Sequence, residues 1–113
     1  IHCNGTVTSF GHNGCGEAAV GGFRDVLVPT RISALAHERV VAVSHGQVHT
    51  MFLTASDKLY ASGSNLNGRC GIPIATTQST SFYTVPTLVS FFENMRPVSV
   101  SCGYAHTIVL TSM

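Results

Sequence analysis

Along the chain, apolar positions fall in short runs that alternate or cluster, and no stretch keeps a helical period. Val40, Val41, Ala42 and Val43 form one such run, and Val98, Ser99 and Val100 another. Both suit strands. In the run that follows, His49, Met51 and Leu53 share one face, as do His106, Ile108 and Leu110. The opposite faces carry Val48, Thr50 and Phe52, and Ala105, Thr107 and Val109. Both faces are largely apolar, so both strands are expected to be buried on two sides. A return strand follows each short turn: Leu59 and its neighbours after Ser56-Asp57, and Val7 and its neighbours after Asn4-Gly5, an Asn-Gly hairpin signal. Phe91, Phe92, Glu93, Asn94 and Met95 suit a single helical turn at most.

The pattern is written twice. VSHGQVHTMFLT at 43–54 and VSCGYAHTIVLT at 100–111 agree at seven of twelve positions, 57 residues apart. FGHNGCGEAA at 10–19 aligns with SGSNLNGRCG at 62–71 at an offset of 52, placing Gly11, Asn13 and Gly16 on Gly63, Asn65 and Gly68. At VPT, 28–30 and 85–87, the offset is 57 again, and Arg39 falls on Arg96. The five-residue difference lies between Gly71 and Val85, in a Ser/Thr-rich stretch expected to be a lengthened loop. The units divide as 1–56, which starts mid-hairpin, and 57–113, both within one propeller domain. The chain begins partway through the cycle, with Ile1 in the slot of Leu53, and is expected to be a piece of a longer one.

Repeats of short strands with two apolar faces fit the blades of an all-β propeller. One blade cannot bury both faces alone, so each presents its neighbour with the same packing problem. Gly46 and Gly103 are expected at bends between strands.

Charge adds one point. Lys and Arg number 6 and Asp and Glu 5, for a net charge of +1. That is about one charged residue in ten, where soluble domains average roughly a quarter. Much of the surface is therefore expected to be covered, and no electrostatic pull toward nucleic acid or membrane is implied. No apolar run reaches the roughly 18 residues of a membrane span, and no signal peptide is visible. Cys3, Cys15, Cys70 and Cys102 are widely and irregularly spaced, and one sequon stands at Asn4-Gly5-Thr6. The expectation is reduced thiols in an intracellular protein, cytoplasmic or nuclear.

Candidate chemistry is weighed against packing. His49 and His106 recur in step with apolar neighbours, which points to a shared structural task, each imidazole bonded to a neighbouring backbone carbonyl. His45 and His49 are four apart, roughly 13 Å along a strand, too far to share one zinc without a bend. The glycines of Gly11, Gly14 and Gly16 lack the lysine and hydroxyl of a phosphate loop and read as turns. Cys15 and Cys70 have no upstream base or helix start in sequence and read as buried or incidental cysteines. No catalytic, cofactor or metal residue is assigned, and no cofactor is expected. The loops remain as candidates to bind other proteins: Phe23, Arg24 and Asp25 in one, Phe82 and Tyr83 in the Ser/Thr-rich one.

Two motifs carry a family resemblance. One is Gly46-Gln47-Val48-His49-Thr50 with Leu53-Thr54, echoed by Gly103-Tyr104-Ala105-His106-Thr107 with Leu110-Thr111. The other runs from Leu59 and Tyr60 through Gly63, Asn65 and Gly68 to Gly71. Together they resemble the regulator of chromosome condensation repeat, over nearly the whole chain. The family's Trp is Phe10 in one unit and Ser62 in the other, and its Gln-Leu-Gly tail is Glu17-Ala18-Ala19 and Arg69-Cys70-Gly71. The resemblance implies two four-stranded antiparallel blades of a seven-bladed propeller. It further implies a non-enzymatic scaffold that binds other proteins alongside the remaining blades. The alternatives it carries are a guanine-nucleotide exchange module for a small GTPase of the Ran type and the partner-binding propeller of a ubiquitin ligase. No direct nucleic-acid binding and no membrane insertion are expected.

Overall fold

The computed structural model describes residues 1–73 and 82–112. Its strands are β1 (Thr8–Gly11), β2 (Val26–Arg31), β3 (Val40–His45), β4 (His49–Thr54), β5 (Leu59–Ser64), β6 (Phe82–Leu88), β7 (Pro97–Cys102) and β8 (Thr107–Thr111). All pairing among them is antiparallel. One four-stranded sheet runs β3-β4-β5-β6, and a two-stranded sheet flanks it on each side, β1-β2 and β7-β8. The repeat offsets make β1 and β2 counterparts of β5 and β6, and β7 and β8 counterparts of β3 and β4. The described residues therefore form a whole blade between two complementary half-blades. The turn at residues 55–57 joins β4 to β5 inside the whole blade, so the sequence unit and the sheet are out of step by two strands.

Two apolar clusters fill the seams between blades. The first holds Val7, Ile32, Leu35, Val40 and Phe52, with Tyr60 packed against it. The second holds Met51, Leu53, Leu59, Cys70 and Val89, with Val100, Cys102 and Val109 from the next half-blade. Counterparts take like places in the two seams: Val7 in the first and Leu59 in the second, Ile32 and Val89, Leu35 and Phe92, Phe52 and Val109. β4 sends Phe52 to one seam and Met51 and Leu53 to the other, and all six of its residues are buried. Burying these side chains is the main force joining the blades.

β8 departs from the expectation of two buried faces. Met51 and Leu53 are 1% and 4% exposed, whereas their counterparts Ile108 and Leu110 are 65% and 61% exposed. The alternation is the same, but among the described residues nothing lies across that face. Single 3-10 turns at Ser33–Leu35 and Ser90–Phe92 follow β2 and β6. Much of the Ser/Thr-rich stretch, read as a lengthened loop, lies outside the described residues. Phe82 and Tyr83, expected within that loop, instead open strand β6. Pro86 and Pro29 stand within β6 and β2, both outer strands, where a missing N–H leaves no ladder bond broken.

Candidate functional site

The repeated Gly-x-x-His-Thr phrase builds a polar node at the seam. Gly46 is needed for room: a Cβ there would collide with the His49 ring and with the Gly103 carbonyl. The ring folds back over this glycine and is fully buried. Its Nε2 lies 2.8 Å from Thr107 Oγ1, in the next half-blade. Thr107 donates its single hydrogen to the Arg69 carbonyl at 2.7 Å, so the imidazole donates from Nε2. The partner is thus a hydroxyl across the seam, where the sequence suggested a backbone carbonyl. Burial pushes the His49 pKa down, as does the positive charge of Arg69, while the backbone of His106 pulls the other way. The ring is a neutral structural donor. Its counterpart His106 stands exposed, because no further blade covers it among the described residues.

The same wiring appears in the first seam. Thr50 Oγ1 donates to the Glu17 carbonyl at 2.8 Å, as its counterpart Thr107 does to Arg69. Asn13 and Asn65, both fully buried, order the loop that follows β1 and β5. Their Oδ1 atoms accept from Ala18 N at 2.9 Å and Cys70 N at 3.0 Å. Their Nδ2 groups donate to Arg24 O at 2.9 Å and Ile72 O at 2.6 Å. A carboxamide offers donor and acceptor on one short arm, which explains Asn at this slot in both units. Ser62, in the slot of the family's Trp, donates to the Gly16 carbonyl at 2.6 Å across the first seam. Its counterpart Phe10 is exposed.

Among the described residues no cluster of His, Cys, Asp or Glu suits a metal. His12 and Glu17 form a pair at 2.7 Å, and the hydrogen bond and charge of Glu17 raise the His12 pKa. Burial drives the Cys70 thiol up to about 12. The Cys70 thiol therefore stays protonated within the second seam, where it packs with Met51 and Leu59.

The sequence-chosen interaction residues gather at one end of the first seam. Asn13 anchors the loop that carries Phe23, Arg24 and Asp25: its Nδ2 holds Arg24 O, and its N–H donates to Asp25 Oδ1 at 3.0 Å. Gly21 N then donates to Thr84 O at 2.8 Å, laying the loop over the start of β6. Phe23 meets Phe82 edge to face, with ring centroids 5.8 Å apart, although the two are 59 positions apart in sequence. Both rings remain partly exposed, and Arg24 is exposed beside them. Tyr83 is half-buried. Sequence reasoning named these residues separately and did not foresee that a loop of one blade and a strand of the next would pair them.

Comparison with known proteins accords with this geometry. The model of the regulator of chromosome condensation (RCC1) repeat matches residues 4–53 and 56–110. The ultraviolet-B receptor UVR8 of Arabidopsis thaliana is 32% identical over 111 residues, covering 98% of this chain and 24% of the receptor. The human E3 ubiquitin-protein ligase HERC2 is 36% identical over 113 residues, covering 96% of this chain and 2% of the ligase. The crystal structure of Prp20p from Saccharomyces cerevisiae, described with its binding properties to Gsp1p and histones, superposes with a TM-score of 0.79 at 20% identity. It is covered over 27% of its length, by 95% of this chain. The chain thus spans about a quarter of UVR8 and Prp20p and far less of HERC2. Two RCC1 repeats, seams wired alike and a shared all-β propeller fold place the chain in the RCC1 repeat family.

Proposed function

We propose that the chain is a non-enzymatic protein–protein interaction scaffold whose contact patch is Phe23, Arg24 and Asp25 with Phe82 and Tyr83. The Phe23–Phe82 pair carries the reading. Two partly exposed aromatics are held in fixed geometry beside an arginine by elements of two blades. Such clusters suit the anchors of protein interfaces. The buried His49, Thr50 and Ser62 are instead committed to bonds across the seams. The relatives point the same way: one is named a receptor and another a ligase, so the shared repeat suits a binding role common to different activities. An intracellular setting, cytoplasmic or nuclear, belongs to this reading.

The test is affinity capture from cell extract with the wild-type chain and with Phe23→Ala/Arg24→Glu, each checked for fold by circular dichroism. The reading expects a defined set of proteins lost with the variant while the spectrum is unchanged. Equal capture by both would reject the patch. Catalysed nucleotide release from a small GTPase by the chain would reject the non-enzymatic reading.

A further inference from the structure

Val-Pro-Thr takes the same place in both units, 28–30 on β2 and 85–87 on β6, and the backbone there gives it a task. Each of these strands ends its sheet, with β1 or β5 on one side and no sheet partner on the other among the described residues. Ile32 N donates to Val7 O and Val89 N to Leu59 O, both at 2.8 Å. In an antiparallel pair, alternate residues turn both backbone groups toward the partner strand. Thr30 and Ile32 therefore face β1, and Thr87 and Val89 face β5, while Pro29 and Pro86 turn outward. The proline ring stands where the edge would otherwise present an N–H.

The rest of each edge is irregular in the same way. Leu27, Val28 and Pro29 lie opposite Phe10 alone, and Thr84, Val85 and Pro86 opposite Ser62 alone, which puts a bulge in each outer strand. The motif takes up carbonyls inside its own bulge: Thr30 Oγ1 donates to Val28 O at 2.9 Å, and Thr87 Oγ1 to Val85 O at 3.1 Å. On β6 the loop of the preceding half-blade adds a cap, with Gly21 N donating to Thr84 O at 2.8 Å. The side chains beside these groups are apolar and open: Leu27 and Val28 are 90% and 67% exposed, and Val85 44%. An apolar edge strand with a regular row of free backbone groups is a template for pairing with another chain. We infer that Val-Pro-Thr is an edge guard, which closes the outer edges of β2 and β6 to strand addition by a second copy of the chain. An incoming strand needs donors and acceptors in step, and the proline and the bulge remove that row from both outer strands. A partner then meets this rim through side chains and not by extending a sheet.

Valine is a strand former and restores the missing donor. Sedimentation across a concentration series compares the wild-type chain with Pro29→Val/Pro86→Val, each checked by circular dichroism. The variant should associate at about one tenth of the wild-type concentration or below, a gain that needs little more than one net backbone hydrogen bond. Hydrogen exchange at the new amide of residue 29 reads the site. It should be fast in dilute variant and slow by about tenfold or more as the variant associates. Pro29→Lys/Pro86→Lys restores the donor but sets a charge on each edge, and should associate no more than wild type. Should the double valine variant lose its spectrum, Pro29→Val alone, at an exposed position, gives the same two readings. Equal association by the wild-type chain and the valine variant, association that leaves the residue-29 amide fast, or a lysine variant that associates as valine does would overturn the inference.

Discussion

Adding one methyl group to Gly46 and to Gly103 should have opposite consequences, although the two glycines hold the same place in the same motif. At Gly46 the new Cβ meets His49, which is fully buried, and the backbone carbonyl of Gly103. Neither can yield without opening the seam. Overpacking of this kind costs roughly 1–3 kcal/mol. Displacing His49 from Thr107 leaves a buried donor unpaired, for a further 1–3 kcal/mol or so. The sum is about 2–6 kcal/mol, a large part of the roughly 5–15 kcal/mol that holds a typical domain folded. At Gly103 the nearest atoms all belong to the ring of His106, which is exposed and can swing into solvent. Its cost should stay under about 1 kcal/mol. Urea unfolding of both variants gives the two numbers directly. With a denaturant slope of about 1–3 kcal/mol/M, Gly46→Ala should lower the midpoint by on the order of 1 M or more. Equal midpoints for the two variants would refute the seam as the reason for the glycine.

Other expectations follow from the same contacts. The unfolded state takes up a proton on His49 at a higher pH than the folded state does. Stability contributed by the neutral ring is therefore full above the unfolded value of 6.5 and declines as pH falls below it. Unfolding curves from pH 8 to 5 should show this decline, and His49→Gln should flatten it. Asn65→Ala strands the buried N–H of Cys70 and the carbonyl of Ile72, and calorimetry should register a loss of about 2–4 kcal/mol. A maleimide should label exposed Cys3 within minutes and leave buried Cys70, whose thiol is pushed up to about 12, unlabelled until the chain unfolds.

Much of this architecture was legible in the text of the chain because the packing problem repeats. The 57-residue echo located β3 and β4 and their copies β7 and β8, and the alternation of His49, Met51 and Leu53 against Thr50 and Phe52 gave the faces correctly. The outer strands were less legible. Val28-Pro29-Thr30 and Val85-Pro86-Thr87 marked the register of the repeat but carry a proline, which reads as loop until the strand is known to lie on an edge. Phe82 and Tyr83 were assigned to the loop before β6 because they close a Ser/Thr-rich stretch. Ile108 and Leu110 stand exposed because no blade lies beside β8 among the described residues. A residue pattern states which face is apolar, while burial depends on a neighbour that only the assembled blades reveal. The His49–Thr107 bond was beyond sequence reasoning too, since both residues recur in each unit and nothing in the repeat says which copy of one meets which copy of the other.

Adjacent blades are joined at the His49–Thr107 bond, between residues 58 positions apart. A double-mutant cycle of His49→Ala and Thr107→Val, read by urea unfolding of all four proteins, measures it most directly. The structure calls for a coupling energy of about 1 kcal/mol or more, within the range of residues in direct contact. Additivity of the two substitutions to within about 0.3 kcal/mol would contradict it.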